Sequence, residues 1–111
     1  MAFTEGSFDG TLNGAAEVDL VVAPAAATRR LVRWISIVNI DTAPVTITIS
    51  LNNTGTKRVI CKVTLAIGDN LYLSDGDVEI LDTINKKIIA KMSGAPATTN
   101  PDFTSGWADA S

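Results

Sequence analysis

Alternation of apolar and polar residues dominates the segment from residue 44 to 51. It reads PVTITISL, so Val45, Ile47, Ile49 and Leu51 share one parity while Thr46, Thr48 and Ser50 share the other. Successive side chains of a strand point to opposite faces, and this pattern therefore predicts a strand with one buried face. No window of the sequence has the apolar spacing of an amphipathic helix.

Comparable short segments recur along the chain between Gly, Asn and Asp turns, and they predict strands at residues 16–23, 30–40, 57–65, 70–74, 78–82 and 86–93. In the segment 57–65 the alternation points four side chains inward: Val59, Cys61, Val63 and Leu65. About seven or eight short strands of this kind predict an all-β fold, a single antiparallel β-sandwich of jelly-roll or immunoglobulin-like type.

The two ends of the chain differ in composition from the middle. Residues 1–15 mix Phe3 and Phe8 with three glycines, which favours an extended N-terminal arm before a sandwich at residues 16–93. Residues 94–111 are small and polar with two prolines, which predicts a C-terminal tail. That tail carries Phe103 and Trp107, and two interpretations stay open: the aromatic rings dock on another protein, or they fold back onto their own domain.

The segment 30–40 is apolar on both parities. A strand covered on both faces explains that pattern, and a subunit interface is one way to cover the second face.

The chain offers little for catalysis. It has no histidine and a single cysteine, Cys61, which lacks a partner for a disulfide and a base for activation, so we interpret it as a small core residue. We expect no enzymatic activity and no cofactor. Three alternate carboxylates at Asp75, Asp77 and Glu79 are interpreted as a turn and a solvated strand face, with ion binding left open.

Charge is unevenly distributed. The net charge is −3, yet all nine lysines and arginines fall between residues 28 and 92, between two acidic ends. Arg29, Arg30 and Arg33 stand beside Trp34, a combination that can bind nucleic acid, but the pI near 4.7 argues against such a partner. We interpret these arginines as charge partners at a protein contact. The sequence shows neither a membrane-spanning apolar stretch nor a signal peptide, which predicts a soluble protein made in a cytoplasm.

Two segments carry a resemblance to a known group of proteins. TRRLVRWISIVNIDTAPVTITI at residues 28–49 and LAIGDNL at residues 65–71 resemble small accessory virion proteins of tailed bacteriophages. The resemblance spans about residues 16 to 93 and implies a capsid decoration, or cement, protein. Such proteins are often trimeric β-sandwiches whose arms reach their neighbours.

The resemblance implies a virion location after assembly in the host cytoplasm. Its partners would be the major capsid protein, other virion proteins and further copies of the chain. A neck or tail component of the same particle and a carbohydrate-binding sandwich for host attachment are the alternatives. The candidate contact residues are Phe3, Phe8, Arg29, Arg30, Arg33, Trp34, Phe103 and Trp107.

Overall fold

The computed structural model describes the backbone of residues 3–74 and 80–110, and the side chains of residues 4–74 and 81–110. The described chain is all-β, and none of its segments forms a helix that could cross a membrane. Its strands are β1 Phe3–Thr11, β2 Val18–Val21, β3 Arg29–Val38, β4 Val45–Asn53, β5 Thr56–Leu65, β6 Asn70–Leu73, β7 Ile80–Leu81, β8 Lys86–Met92 and β9 Asp102–Ala110.

The strands form two antiparallel sheets. One sheet has the order β1-β9-β3-β6, with the short β7 also paired to β3, and the other has the order β2-β8-β4-β5. The first four strands thus pair with the later ones as in a long hairpin rolled into two layers: β1 with β9, β2 with β8, β3 with β6 and β4 with β5. This is the jelly-roll arrangement, which confirms the predicted sandwich and decides between its two types.

The core lies between the sheets and is made mainly of aliphatic side chains. From the four-stranded sheet it takes Leu20, Ile47, Ile49 and Ile88, and from the five-stranded sheet Ile35 and Ile37. Each such side chain stabilises the fold by about 1.5–3 kcal/mol through removal from water. Cys61 lies half-buried against this core, as expected of a small apolar residue.

β-Bulges explain where the simple alternation fails. The register of β3 against β9 shifts between Val32 and Trp34, so inward positions change parity within the strand. An extra residue in one strand has this effect. The inward positions therefore change from Val32 to Ile35 and Ile37, while Trp34 and Val38 lie on the outer face, so the outer face of β3 does carry apolar side chains. That another subunit covers this face stays a prediction.

A second bulge corrects the prediction for β5. Ile49 pairs with Cys61, but the next residue, Ser50, pairs with Val59, so Ile60 is the additional residue. Ile60 packs against the core, whereas Val59 is 65% exposed. The prediction that Val59 points inward is wrong, because the bulge reverses the alternation beyond Cys61.

The predicted arm and tail are strands of the sandwich. β1 pairs along its whole length with β9, and β9 lies between β1 and β3. The extended arm at residues 1–15 and the loose tail at residues 94–111 are thus corrected over the described residues. Both strands escaped notice because β9, DFTSGWADA, buries small residues such as Ser105, Gly106 and Ala108 in place of branched ones.

Asp75, Asp77 and Glu79 lie outside the described residues.

Candidate functional site

A buried polar network organises one end of the sandwich, where β3 leads towards β4. The Asn39 side chain is 1% exposed, and its amide nitrogen donates to the carbonyl oxygens of Ala43, Leu65 and Ala66 at 3.0–3.1 Å. Its own oxygen accepts from the backbone N–H of Asp41 at 2.9 Å. Asn39 thereby ties the β3–β4 connection to the β5–β6 connection.

Asp41 continues the network to a third connection, residues 94–100. Its carboxylate accepts hydrogen bonds from the backbone N–H groups of Ala97, Thr98 and Thr99 at 2.8–3.1 Å, and from that of Thr42 at 2.8 Å. Burial alone raises the pKa of Asp41, but these donors outweigh it and hold the pKa well below the ordinary 3.8. The carboxylate is thus a charged anchor for two connections.

An apolar tip projects from this network: Val38, Ile40 and Ile67. All three side chains are exposed, Ile67 by 61%. Backbone hydrogen bonds of Asn39 with Gly68 and Asp69 continue the pairing of β3 with β6 beyond the strand ends and place the Ile40 and Ile67 backbones side by side. This end of the sandwich therefore presents three partly exposed apolar side chains to solvent.

A second cluster lies at the opposite end of the sandwich. The Arg30 guanidinium binds both carboxylate oxygens of Asp109, at 2.8 and 3.0 Å, and donates to the carbonyl oxygen of Val22 at 2.7 Å. It also lies 4.3 Å from the ring centroid of Trp107. Because Val22 follows β2, this arginine joins the two sheets.

The outer face of the five-stranded sheet carries a trough, which we call the Trp34 trough. The Ser105 hydroxyl points inward to the carbonyl of Leu20, so the next residue, Gly106, faces outward, opposite Trp34. The Trp34 indole lies directly on Gly106, in space that a Cβ atom would fill. The trough has a volume of about 500 Å³ and is lined by Glu5, Gly6, Ser7, Arg33, Trp34, Gly106 and Trp107.

A smaller depression of about 260 Å³ adjoins the trough, and Arg33 and Trp34 line both. Tyr72, which is 57% exposed, stands on its far side. The Trp34 side chain therefore lies between two open depressions, and the aromatic side chain of Tyr72 lies nearby.

Two ion pairs lie across the outer face of the four-stranded sheet. Lys57, near the start of β5, reaches Glu17 beside the other edge strand, and Lys87 pairs with Asp19. The hydrogen bond from Lys57 lowers the pKa of Glu17. Ile89 lies on this outer face, opposite Asp19 and Ser50, yet it is buried. The long side chains of the two ion pairs cover it.

The structure brings some predicted contact residues together. Phe103 is buried, and its ring lies 5.8 Å from that of Phe8; Trp107 packs against the core and Arg30. The second interpretation of the tail, that its aromatics fold back, is therefore the observed one. Of the other predicted contact residues, Arg33 and Trp34 line the trough on the outer face, and Arg29 is exposed at the start of β3. Phe3 pairs through its backbone with Ala110.

Sequence reasoning missed the residues that hold these features in place. Asn39 and Asp41 were not selected as candidates, although both lie in the segment 28–49 that carries the resemblance and stand among apolar residues. Gly6 and Gly106 gave no signal, because their role is to leave space for the two indoles. Asp109 is one of the acids of the acidic C-terminal end and was not selected as a candidate.

Metal binding finds no support in the described parts of the chain, where no three His, Cys, Asp or Glu side chains are grouped closely enough to hold an ion.

Comparison with known proteins shows a similarity of fold. Neither a family model nor a curated protein matches the sequence. A protein of Bacillus endospore appendages, which form disulfide-linked pili, superposes with a TM-score of 0.55 at 11% identity, over 97% of this chain and 85% of that one. PirA gives 0.48 at 17% identity over 93% and 91%. A chain of the infectious bursal disease virus particle gives 0.48 at 13% identity, over 96% of this chain but 30% of that one. The first likeness shows a shared β-sandwich fold.

Proposed function

We propose that the protein is a structural component of a bacteriophage virion, a decoration protein that binds the capsid through its apolar tip. The observation that carries the proposal is the tip itself: Val38, Ile40 and Ile67 are exposed above a buried, fully hydrogen-bonded network. Because Asn39 and Asp41 fix the connections beneath, binding orders little additional backbone, which lowers its entropic cost.

Two further observations support the proposal. The jelly roll recurs in viral capsid proteins, although a fold by itself does not define a function. The segments at residues 28–49 and 65–71, which carry the resemblance to phage accessory proteins, contain the tip and the two central residues of the network, Asn39 and Asp41. A protein that binds only the assembled capsid stabilises it by mass action.

Assembly into a homo-oligomer, with a trimer favoured, is part of the proposal. The five-stranded sheet has β1 and β6 at its edges and the four-stranded sheet has β2 and β5. Edge strands with unpaired backbone groups are natural contact sites between copies. Light scattering on the purified protein measures the oligomer, and a monomer at all concentrations would contradict this part alone.

The test of tip binding is cosedimentation with capsids assembled from the major capsid protein of the same phage. We expect the wild-type protein to sediment with them and the double variant Ile40→Ser, Ile67→Ser to remain in the supernatant. Ile84→Ser is the matched control, since Ile84 is equally exposed but lies next to Asn85, which bonds Thr54 at the other end of the sandwich.

The outcomes separate the candidate functions. On the order of hundreds of copies per particle identifies decoration, whereas about six or twelve identifies the alternative, a neck or tail component with cyclic symmetry. If the double variant binds as well as the wild type, the tip is not the contact. If the chain is absent from virions and does not bind capsids, the structural function is wrong.

A further inference from the structure

We infer a second binding function that goes beyond assembly: the Trp34 trough on the outer face of the five-stranded sheet binds a neutral oligosaccharide. This surface has no lining residue in common with the apolar tip, which lies at the end of β3. The chemistry of its lining is that of a sugar site, namely aromatic rings combined with a few polar side chains on a rigid scaffold.

The aromatic part of the site follows from Gly106. A Cβ atom at this position would collide with the Trp34 indole, so only glycine lets the ring lie across the β9 backbone. The ring therefore separates the trough from the depression that Tyr72 borders. Ser36 pairs with Tyr72, and Trp34 is two residues from Ser36 on the same strand, so the two aromatic side chains are diagonal neighbours. Together they offer apolar contact to the C–H faces of consecutive sugar rings.

The polar part of the site comes from three side chains. Glu5 and Ser7 stand on β1 and Arg33 on β3, on two sides of Gly106 in β9. A carboxylate accepts hydrogen bonds from two sugar hydroxyls, a guanidinium donates to them, and the serine hydroxyl does either. The volume of about 500 Å³ lies within the range of small-ligand sites.

Charge favours a neutral ligand over a nucleic acid. One lining carboxylate, Glu5, and one lining guanidinium, Arg33, leave the trough without a net positive charge, and the whole chain carries −3. Nucleic-acid sites instead gather several cations along the phosphate backbone. An aromatic ridge in an electrically balanced trough therefore suits sugar rings better than stacked bases.

The experiment is a titration of the full chain with soluble neutral oligosaccharides of hexoses and N-acetylhexosamines, followed by indole fluorescence and calorimetry. We expect at least one series to bind with a Kd of about 1 mM or tighter and to perturb the signal of Trp34. Trp34→Ala should weaken binding at least about tenfold, since it removes one stacking contact. Glu5→Gln, which keeps the shape of the side chain, should weaken it by a smaller factor.

Gly106→Ala tests the site without removing any of its lining side chains. The added Cβ would displace the Trp34 indole, so this variant should also abolish binding. Gly94→Ala is its control, because no atom lies within 4 Å of the added Cβ. Thermal unfolding of each variant shows whether it is folded.

The double variant Ile40→Ser, Ile67→Ser should bind sugar as the wild type does, so failure of the capsid proposal does not affect this one. The inference is overturned if no neutral oligosaccharide binds, if folded Trp34→Ala binds undiminished, or if a single-stranded oligonucleotide binds in their place.

Discussion

Arg30 and Asp109 form a two-point ion pair between neighbouring strands, with Nε–Oδ1 and Nη2–Oδ2 distances of 2.8 and 3.0 Å. The same guanidinium stacks on Trp107 and donates to the carbonyl of Val22 beyond β2. Arg30, a predicted contact residue, thus also has contacts within its own domain, where it joins the two sheets at one end of the sandwich.

Removal of the Asp109 charge should destabilise the protein. In Asp109→Asn the arginine loses its ionic partner while its other contacts remain, and we expect the free energy of unfolding to fall by about 1–3 kcal/mol. Chemical denaturation measures the change. Asp102→Asn, at an exposed position of the same strand, is the control and should change stability by no more than about 0.5 kcal/mol. Equal values for the two variants would show that the pair contributes nothing.

Asn39→Ala should have a larger effect. The substitution leaves the carbonyl oxygens of Ala43, Leu65 and Ala66 without their donor at a largely buried site, and we expect a loss of about 2–4 kcal/mol. Asn70→Ala, an exposed asparagine in β6, is the matched control. Hydrogen exchange should also be faster at the amides of Gly68 and of residue 39 itself, because the first donates to the carbonyl oxygen of Asn39 and the second to that of Asp69. Unchanged exchange there would refute the proposed role of the network.

Asp41 should make stability depend on pH at the acid end. Its pKa is lower in the folded state than the ordinary 3.8, so its stabilising contribution is present in full above that value and is lost as the pH falls through the lower, folded pKa. We expect Asp41→Asn to be less stable at pH 7 and to lose less further stability on acidification than the wild type. Urea unfolding from pH 7 to pH 2 measures both slopes; parallel curves would contradict the assignment.

The Glu17–Lys57 pair should be visible in the titration of Glu17. The hydrogen bond from Lys57 is the largest cause of its lowered pKa, so Lys57→Met should raise that pKa towards the ordinary 4.5. Carboxyl NMR follows the titration directly. Lys62→Met, a change of the same kind on the same strand, should leave Glu17 unaffected. Because the pair is solvent-exposed, its effect should weaken at high salt.

Gly6→Ala should loosen the edge strand β1. The added Cβ would lie 2.6 Å from Nε1 of Trp107, so either the ring or the strand must move. We expect an altered indole emission spectrum and faster hydrogen exchange along β1. Gly94→Ala, in open space, should show neither change. A normal emission spectrum in folded Gly6→Ala would mean that the ring does not depend on this glycine.

The sequence alone predicts the inner face of the four-stranded sheet well. In β4 the apolar positions 45, 47 and 49 are all buried, because the strand has regular neighbours on both sides over that stretch and alternation translates directly into burial. The prediction fails at Val59, where a bulge changes parity without any mark in the composition. It fails again at β9, because small residues in the middle of a sheet have the composition of a loop.

The candidate sites, like the fold, can be predicted from the sequence only in part. Exposed aromatic residues and arginines can be selected from a sequence, and Arg33 and Trp34 do line the trough. Their arrangement depends on Gly106, far along the chain, and on a β3–β9 register that local patterns do not contain. The Asn39 network likewise joins three connections that are distant in sequence.

The position of β9 bears on how the molecule is made. It leaves the ribosome after the other described strands of the sandwich, yet it occupies the space between β1 and β3. The larger sheet therefore cannot close until residues 102–110 have emerged, and until then β1 lacks the strand with which it pairs. A nascent chain interrupted before that point would present two unpaired edges, which makes premature termination a direct route to aggregation.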